Sequence, residues 1–240
     1  THEYTFENTT NQTITYTIEL IAHTAEGCSD SFTRNIEVHP LVEAAFFYPI
    51  EDCSPLSFIF ENESVNASFY QWDLGNGTVS VAEEPLGGYQ TVGFEPDTFD
   101  IQLVATSMFG CEDTARSQLI LHPKPSASVI PSGVAGCSPY PVSFQNNSSI
   151  ATNYQWNYGD GNTSDTLDLV HEHVFVSTST APQDFQVSLI ASTDFGCADT
   201  SMLEITVYPP VIAQFTPETE GCSPLGVSFV NTSFGGATYN

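Results

Sequence analysis

Two short stretches place acidic and amide side chains beside glycines. Residues 70–77 read YQWDLGNG and residues 154–161 read YQWNYGDG, and the chain ends on Tyr239-Asn240, where a third copy could start. Side-chain oxygens of this kind could bind a divalent cation or act in acid–base catalysis. The same residue types also form tight turns, because glycine tolerates positive φ and Asn or Asp can bond to the backbone two residues on.

The alternation of the first stretch favours a structural role. On a strand, Tyr70, Trp72 and Leu74 point to one face and Gln71 and Asp73 to the other. The aromatic face is expected to fill a core, and the glycines are expected to let the chain reverse with positive φ.

The polar residues of the turn complete this motif. Asn76 and Asp160 are suited to capping the turn through a bond to the backbone two residues on. The predicted structural motif comprises Tyr70, Trp72, Asp73, Gly75 and Gly77 in one copy, and Tyr154, Trp156, Gly159, Asp160 and Gly161 in the other.

A calcium-binding loop is a different interpretation of the second stretch. Asp160, Asn162 and Ser164 bear oxygens at alternate positions, but an EF-hand needs glycine at its sixth position and glutamate at its twelfth, where Asp165 and His171 stand. An EF-hand site is therefore excluded. The acidity of the chain leaves loose binding of Ca²⁺ at repeat joints open.

The histidines and cysteines could indicate a zinc site or a catalytic site. His171-Glu172-His173 would place two histidines on one strand face, but no third ligand is visible. The sequence contains neither G-x-S-x-G nor H-E-x-x-H, and its cysteines recur as a framework, as disulfide cysteines do. We predict no catalytic residue, no metal site, no cofactor and no enzyme activity.

The charge of the chain restricts its partners. Against 29 acidic residues stand only Arg34, Arg116 and Lys124, for a net charge of −26. A chain of this charge cannot neutralise nucleic-acid phosphates, so we expect no nucleic-acid partner. No apolar run approaches the roughly 20 residues of a membrane helix, so we expect no membrane insertion in this segment. Because the chain opens on Thr1 in mid-pattern with no signal peptide, we expect it to be a piece of a longer protein.

The cysteines reveal an internal repeat. Cys28, Cys111 and Cys197 each follow a glycine, at steps of 83 and 86 residues. A second series of cysteines, each in Cys-Ser-Pro, has steps of 84 and 85 residues. Each copy is followed by an alternating run with Asn at or near its end: SFIFEN, VSFQNN and VSFVNT. Nine matches at one period indicate a tandem array.

One unit reads entirely as strands. About seven short alternating segments separated by Gly, Pro, Asn and Ser turns fill some 84 residues, which is typical of a β-sandwich. We predict an all-β chain of tandem Ig-like, seven-stranded sandwiches in a rod-like array, since the joints are short and proline-stiffened. The expected domains are the C-terminal half of a repeat (1–40), two complete repeats (41–124 and 125–210) and the start of another (211–240).

The repeat resembles the PKD (polycystic kidney disease) domain, whose hallmark is W-D-F-G-D-G. Residues 72–77 and 156–161 match it with one departure each among the acids, and His173-Val174-Phe175 is similar to the family's H-x-Y strand. Repeat 41–124 lacks that histidine. Units carrying both G-C-S-P and F-G-C-x-D-T look like those of SprB-type gliding motility adhesins of Bacteroidota, which the type IX secretion system exports.

An Ig-like sandwich constrains the disulfides. It would place Cys53 in the A–B loop and Cys111 in the F–G loop, at opposite ends of a unit about 20 Å apart, whereas a disulfide needs Cα atoms within about 7 Å. The A–B loop of one unit faces the F–G loop of the next, so Cys53 is expected to bond to Cys197. Cys28, Cys111, Cys137 and Cys222 are expected to pair with units outside the fragment.

The resemblance also carries a functional expectation. It implies a non-catalytic, tension-bearing stalk of an extracellular adhesin or filament for gliding or adhesion, at the bacterial cell surface and attached to the outer membrane through other regions. The expected partners are neighbouring repeats and, through regions outside the fragment, a surface polysaccharide or solid substrate. Asp-Thr followed by a small or aliphatic residue predicts O-glycosylation at Thr114 and Thr166. A competing hypothesis is an accessory module array that engages substrate for a secreted polysaccharide hydrolase or protease.

Overall fold

The computed structural model describes residues 2–217, 220–235 and 238, so Tyr239-Asn240 lie outside the described part. The chain clusters into two compact units, 1–123 and 124–240. Every regular element among the described residues is a β-strand. No helix in this part of the chain is long and apolar enough to cross a membrane.

The first unit opens with a hairpin and continues with one complete repeat. The hairpin pairs β1 (Ile14–His23) with β2 (Ser29–Val38). The strands of the repeat are β3 (Phe46–Phe47), β4 (Glu51–Cys53), β5 (Leu56–Ile59), β6 (Glu61–Asn62), β7 (Phe69–Asp73), β8 (Val79–Ser80), β9 (Leu86–Tyr89), β10 (Asp97–Thr106) and β11 (Glu112–His122).

The second unit begins with the other complete repeat and ends with a short hairpin. The strands of the repeat are β12 (Val129–Pro131), β13 (Ala135–Cys137), β14 (Tyr140–Asn146), β15 (Asn153–Asn157), β16 (Thr163–Ser164), β17 (Val170–Phe175), β18 (Gln183–Ser192) and β19 (Ala198–Tyr208). The hairpin pairs β20 (Phe215–Pro217) with β21 (Phe229–Asn231).

Both complete repeats have the same strand order. One sheet runs β4-β11-β10-β7-β8 in the first repeat and β13-β19-β18-β15-β16 in the second. The other sheet is β12-β14-β17 in the second repeat, and the pairs β3-β6 and β5-β9 in the first. In immunoglobulin lettering these are sheets A′-G-F-C-C′ and A-B-E. The predicted all-β, Ig-like sandwich is confirmed.

Each repeat has its own core between the two sheets. Trp72 and Phe60 are fully buried in the first, and Trp156 and Phe144 in the second. Each tryptophan comes from strand C and each phenylalanine from the opposite sheet. Since burying one large apolar side chain stabilises by about 1.5–3 kcal/mol, these residues fix the distance and register of the sheets.

Two short strands were absent from the sequence prediction. β4 places Cys53 in a parallel strand beside the end of β11, not in a free loop. β9 includes Gly87 and Gly88, whose low strand propensity hides the alternation. Both strands depend on pairing with distant partners, which local patterns do not encode.

Candidate functional site

The YQW segments form strand C of each sandwich, and their alternate residues face the core. Trp72 and Leu74 are buried, Tyr70 is half-buried, and Asp73 is exposed. The indole Nε1 of Trp72 donates to the carbonyl of Ala82 at 3.0 Å. The aromatic side chains of this motif therefore lie in the interior and are not available as a binding platform.

The turn after strand C is held by its own polar side chains. The amide of Gly75 donates to Asp73 Oδ1 at 3.0 Å, and the amide of Thr78 donates to Asn76 Oδ1 at 2.9 Å. The second repeat has the same two bonds, onto Asn157 at 2.9 Å and Asp160 at 3.0 Å. The predicted capping of the turn by Asn76 and Asp160 is present in both repeats.

The first glycine of each turn has both a conformational and a steric requirement. Gly75 has φ of 72°, and a Cβ there would lie 2.5 Å from the carbonyl oxygen of Asp100 on β10. Gly159 has φ of 75°, with Gln186 O at 2.6 Å from the same position. Any larger residue would push the turn away from strand F. The motif therefore sets how closely the turn after strand C approaches strand F.

In the second repeat the turn is tied to strand E by a histidine. His173 Nε2 lies 2.7 Å from Asp160 Oδ2, and the His173 ring stacks on Tyr158 with centroids 3.9 Å apart. The hydroxyl of Tyr158 lies 2.8 Å from His171 Nε2. Both histidines thus use Nε2 for contacts inside the sandwich.

The fold shifts the pKa values of this cluster. Burial raises the pKa of Asp160, but hydrogen bonds from His173 and Asn162 outweigh it, and the net pKa is below 3.8. Burial lowers the pKa of His171, which favours the neutral ring. Burial also raises the pKa of Tyr158, so the phenol stays protonated.

An open depression of about 540 Å³ lies beside these histidines, lined in part by Asn162, Ser164 and Thr166. Among the described residues, no three His, Cys, Asp or Glu side chains are grouped to hold a metal ion. We therefore regard His171 and His173 as parts of a structural cluster, and we assign them no catalytic role.

The first repeat makes the same tie without a histidine. Gly87 occupies the position of His173, and Asn76 Nδ2 donates to the carbonyl of Gly88 at 2.9 Å. The hydroxyl of Tyr89 donates to Leu74 O at 3.0 Å. Strand E is therefore bound to the C–C′ turn in both repeats.

Cys53 and Cys137 lie at the same end of their sandwiches. In the β-ladder, Cys53 lies opposite His122 at the end of β11, and Cys137 lies opposite Tyr208 at the end of β19. The amide of the next residue, Ser54, donates to the carbonyl of His122 at 2.8 Å. In the same place, His122 Nε2 lies 2.6 Å from Glu51 Oε1. These bonds hold the cysteine against strand G.

Cys28, Cys111 and Cys197 occupy three turns of one geometry. In each, the amide of the residue four positions before the cysteine donates to the cysteine carbonyl, at 2.9 Å in all three turns. The preceding glycine has positive φ in each turn: 92° at Gly27, 83° at Gly110 and 102° at Gly196. The turn thus presents its cysteine at the start of strand G.

Strand G therefore separates the two cysteines of one repeat. Cys111 immediately precedes β11, whereas Cys53 pairs at its end, so eleven residues of strand stand between them. At about 3.3 Å per residue this is about 36 Å, and a disulfide needs Cα atoms within about 7 Å. A bond within the repeat is excluded.

The cysteines differ in their covalent state. Cys53 and Cys197 are disulfide-bonded. Cys28, Cys111, Cys137 and Cys222 have free thiols. A disulfide in a chain of this kind indicates an oxidising, extracellular environment.

Two aspartates that the sequence interpretation missed tie the start of strand A to strand G. Asp113 Oδ2 accepts the amide of Ala44 at 2.8 Å, and Asp199 Oδ2 accepts that of Ala127 at 2.9 Å. These backbone bonds lower the pKa of both carboxyls, and a bond from Lys124 Nζ, 3.1 Å away, lowers that of Asp199 further. The sequence did contain a signal, because Asp113 stands two residues after Cys111 and Asp199 stands two residues after Cys197.

Within the first unit, the joint between the hairpin and the repeat is also packed. The His39 and Phe109 rings stack with centroids 3.8 Å apart, and Asn66 Nδ2 donates to Leu41 O at 2.8 Å. Asn66 has φ of 60°, and Ile150 has φ of 67° at the equivalent position of the second repeat.

The two predicted glycosylation sites differ in exposure. Thr114 is exposed on β11, whereas Thr166 is half-buried in the loop after β16, where its hydroxyl donates to Asp168 at 3.0 Å. The side chain of Thr166 is thus already engaged in a hydrogen bond. O-glycosylation stays a prediction for both.

The chain matches no protein-family model and no curated protein. Among solved structures it is similar to the PKD1 domain of Vibrio anguillarum Epp: 22% identity over 36% of this chain and 96% of that one, with a TM-score of 0.29. The PKD1 domain of the Vibrio cholerae metalloprotease PrtV gives 22% identity over 35% and 99%, with a TM-score of 0.28. The fibronectin(III)-like modules of Clostridium thermocellum CbhA give 8% identity over 70% and 94%, with a TM-score of 0.37. All these scores are below 0.5, so the fold assignment rests on strand order and register.

Proposed function

We propose that the chain is a non-catalytic segment of a long extracellular adhesin or filament, in which PKD-like sandwiches form a tension-bearing stalk. The observation that supports it most is the position of the cysteines. Each complete repeat carries one cysteine at either end of strand G, too far apart to bond to each other, and Cys53 and Cys197 are disulfide-bonded. Such an arrangement suits bonds between repeats.

The proposed connection is a bond from Cys53 of one repeat to Cys197 of the next. By the same rule, Cys28, Cys111, Cys137 and Cys222 pair with units outside the 240 residues. A covalent staple at each joint would prevent tension from hinging the repeats apart.

The finer assignment follows the sequence resemblance. We propose a Bacteroidota surface protein of the SprB type, exported by type IX secretion, attached to the outer membrane through other regions and serving gliding or adhesion. The net charge of −26 suits a solvated surface polymer. Partners such as a surface polysaccharide would bind to regions outside this chain.

Disulfide mapping tests the proposed connection. Proteolysis of the natively secreted protein without reduction, followed by mass spectrometry, is expected to yield a peptide pair that joins Cys53 to Cys197. A pair that joins Cys53 to Cys111 would contradict both the proposed staple and the strand geometry.

Labelling of intact cells tests the stalk. Antibodies against residues 41–210 are expected to bind unpermeabilised cells, and beads carrying them are expected to move along gliding cells. Labelling only after permeabilisation would refute a surface stalk. Recovery of the antigen as a secreted polypeptide that cleaves polysaccharide or protein would favour an accessory module array of a hydrolase or protease.

A further inference from the structure

We propose that the staples make the stalk almost inextensible, because they remove most of each repeat from the path of the load. The inference rests on the proposed Cys53–Cys197 bond. It concerns what happens when a repeat unfolds under tension, which the stalk function alone does not determine.

The second complete repeat illustrates the load path. Without a staple, force enters at Lys124 and leaves at Pro210, so unfolding releases the 86 positions between them. With Cys197 bonded to Cys53 of the preceding repeat, force reaches Pro210 through only the 13 positions after Cys197. The part of the repeat that precedes Cys197 then carries no load.

The first complete repeat is bypassed from its other end. Force enters at Leu41 and reaches Cys53 after 12 positions, from which the same bond carries it to Cys197. One staple thus shortens the load path of both repeats that it joins. In a longer array, the cysteine at each end of a repeat would act in this way.

The lengths decide the mechanical outcome. A folded repeat spans about 36 Å along its eleven-residue strand G, since a strand rises about 3.3 Å per residue. Thirteen extended residues span about 45 Å and 86 span about 300 Å. Unfolding therefore lengthens a stapled repeat by about 10 Å and an unstapled one by about 260 Å.

The segments that remain in the load path are bound to the rest of their repeats by strand pairing, burial and hydrogen bonds. The segment after Cys197 is β19, which pairs with β18 over ten residues and with β13 on its other side. In the first repeat, the loaded segment contains Val42, which is 3% exposed, and Ala44, whose amide is bonded to Asp113. Strands B, C, C′, E and F, with the tryptophan motif, stay outside the load.

Single-molecule stretching of the oxidised 240-residue chain tests this inference. Handles joined to the two termini by chemistry that does not involve thiols avoid interference with the cysteines. Unfolding of either complete repeat is expected to add about 10 Å, the extended length of the loaded segment less the folded span that it replaces. After reduction, or in Cys53→Ser, the increment is expected to rise about 26-fold, to about 260 Å.

A matched variant separates the staple from general effects of cysteine loss. Cys111→Ser removes a free thiol of the same repeat and is expected to keep the short increments. Increments of about 260 Å in an oxidised chain whose Cys53–Cys197 bond has been mapped would overturn this inference alone. If mapping shows that the bond is missing, both the staple and the inference fail.

Discussion

Asp160 and Asn76 occupy the same position in two turns, and each joins its turn to strand E. Asn76 donates to a backbone carbonyl, whereas Asp160 contacts His173. The residue types, Asn or Asp beside glycines, were sufficient to predict a turn that is capped by these side chains. They could not predict the tie to strand E, because Asp160 and His173 come together only when strand E packs beside the turn.

The first prediction concerns Asp160→Asn, which keeps the turn-capping oxygen and removes the charge. The fold lowers the pKa of Asp160, so its carboxylate stabilises the native state above the ordinary pKa, and this stability is lost as the pH falls through the lowered value. Chemical denaturation is expected to show the variant less stable by about 1 kcal/mol at pH 7. The difference is expected to narrow below pH 3.8.

Asp165→Asn, in the same repeat and outside the contacts of His173, is the control. It is expected to follow the wild type at both pH values. A deficit in Asp160→Asn that stays constant from neutral to acidic pH would argue against a role for the charge.

A second prediction concerns Ile150, a β-branched residue at φ of 67°. The left-handed region costs most L-residues roughly 1–2 kcal/mol, whereas Asn is tolerated there. Ile150→Asn, which installs the residue found at position 66, is expected to raise the unfolding free energy of the repeat by about 1 kcal/mol. Thermal denaturation measures it, and Ile150→Val, which keeps the branched side chain, should show no gain. A lower melting temperature for the Asn variant would contradict the strain argument.

At the scale of elements, the alternating segments predicted most strands but not their long-range partners. β10, β11, β18 and β19 show clear alternation, and their burial follows it. β4 and the bond from Ala44 to Asp113 join positions about 70 residues apart, which only the assembled sandwich brings together. The recurrence of Asp113 and Asp199 pointed to a role, but the sequence did not show which backbone amide they bind.

A third prediction follows for strand A. Asp199→Ala removes the acceptor of the Ala127 amide, so that amide is expected to exchange with deuterium faster at neutral pH. Hydrogen exchange monitored by NMR measures it. In Asp165→Ala the Ala127 amide should stay as protected as in the wild type, and unchanged protection in Asp199→Ala would show that the bond does not hold the strand.

At the scale of the whole molecule, the net charge of −26 opposes compaction. Salt screens such repulsion, with a Debye length that falls from about 30 Å at 0.01 M to about 10 Å at 0.1 M. The fourth prediction is therefore that the melting temperature rises over this range of NaCl. A flat response would mean that the charges are already spaced beyond mutual repulsion.

The same experiment tests loose calcium binding. CaCl₂ at matched ionic strength is compared with NaCl, so that screening is equal in the two samples. A larger rise in melting temperature with CaCl₂ is expected if the carboxylates bind the cation, and equal melting temperatures would rule such binding out.

The divergence of the two strands E has a consequence for how neighbouring repeats fold. Consecutive domains of one topology can exchange strands and misassemble. Gly87 leaves room for the Phe60 ring, and even a Cβ there would lie 2.9 Å from that ring. A strand E taken from the second repeat would bring His173 to this position and clash. The core of the first repeat therefore rejects strand E of the second, which disfavours this exchange of strands between the two sandwiches.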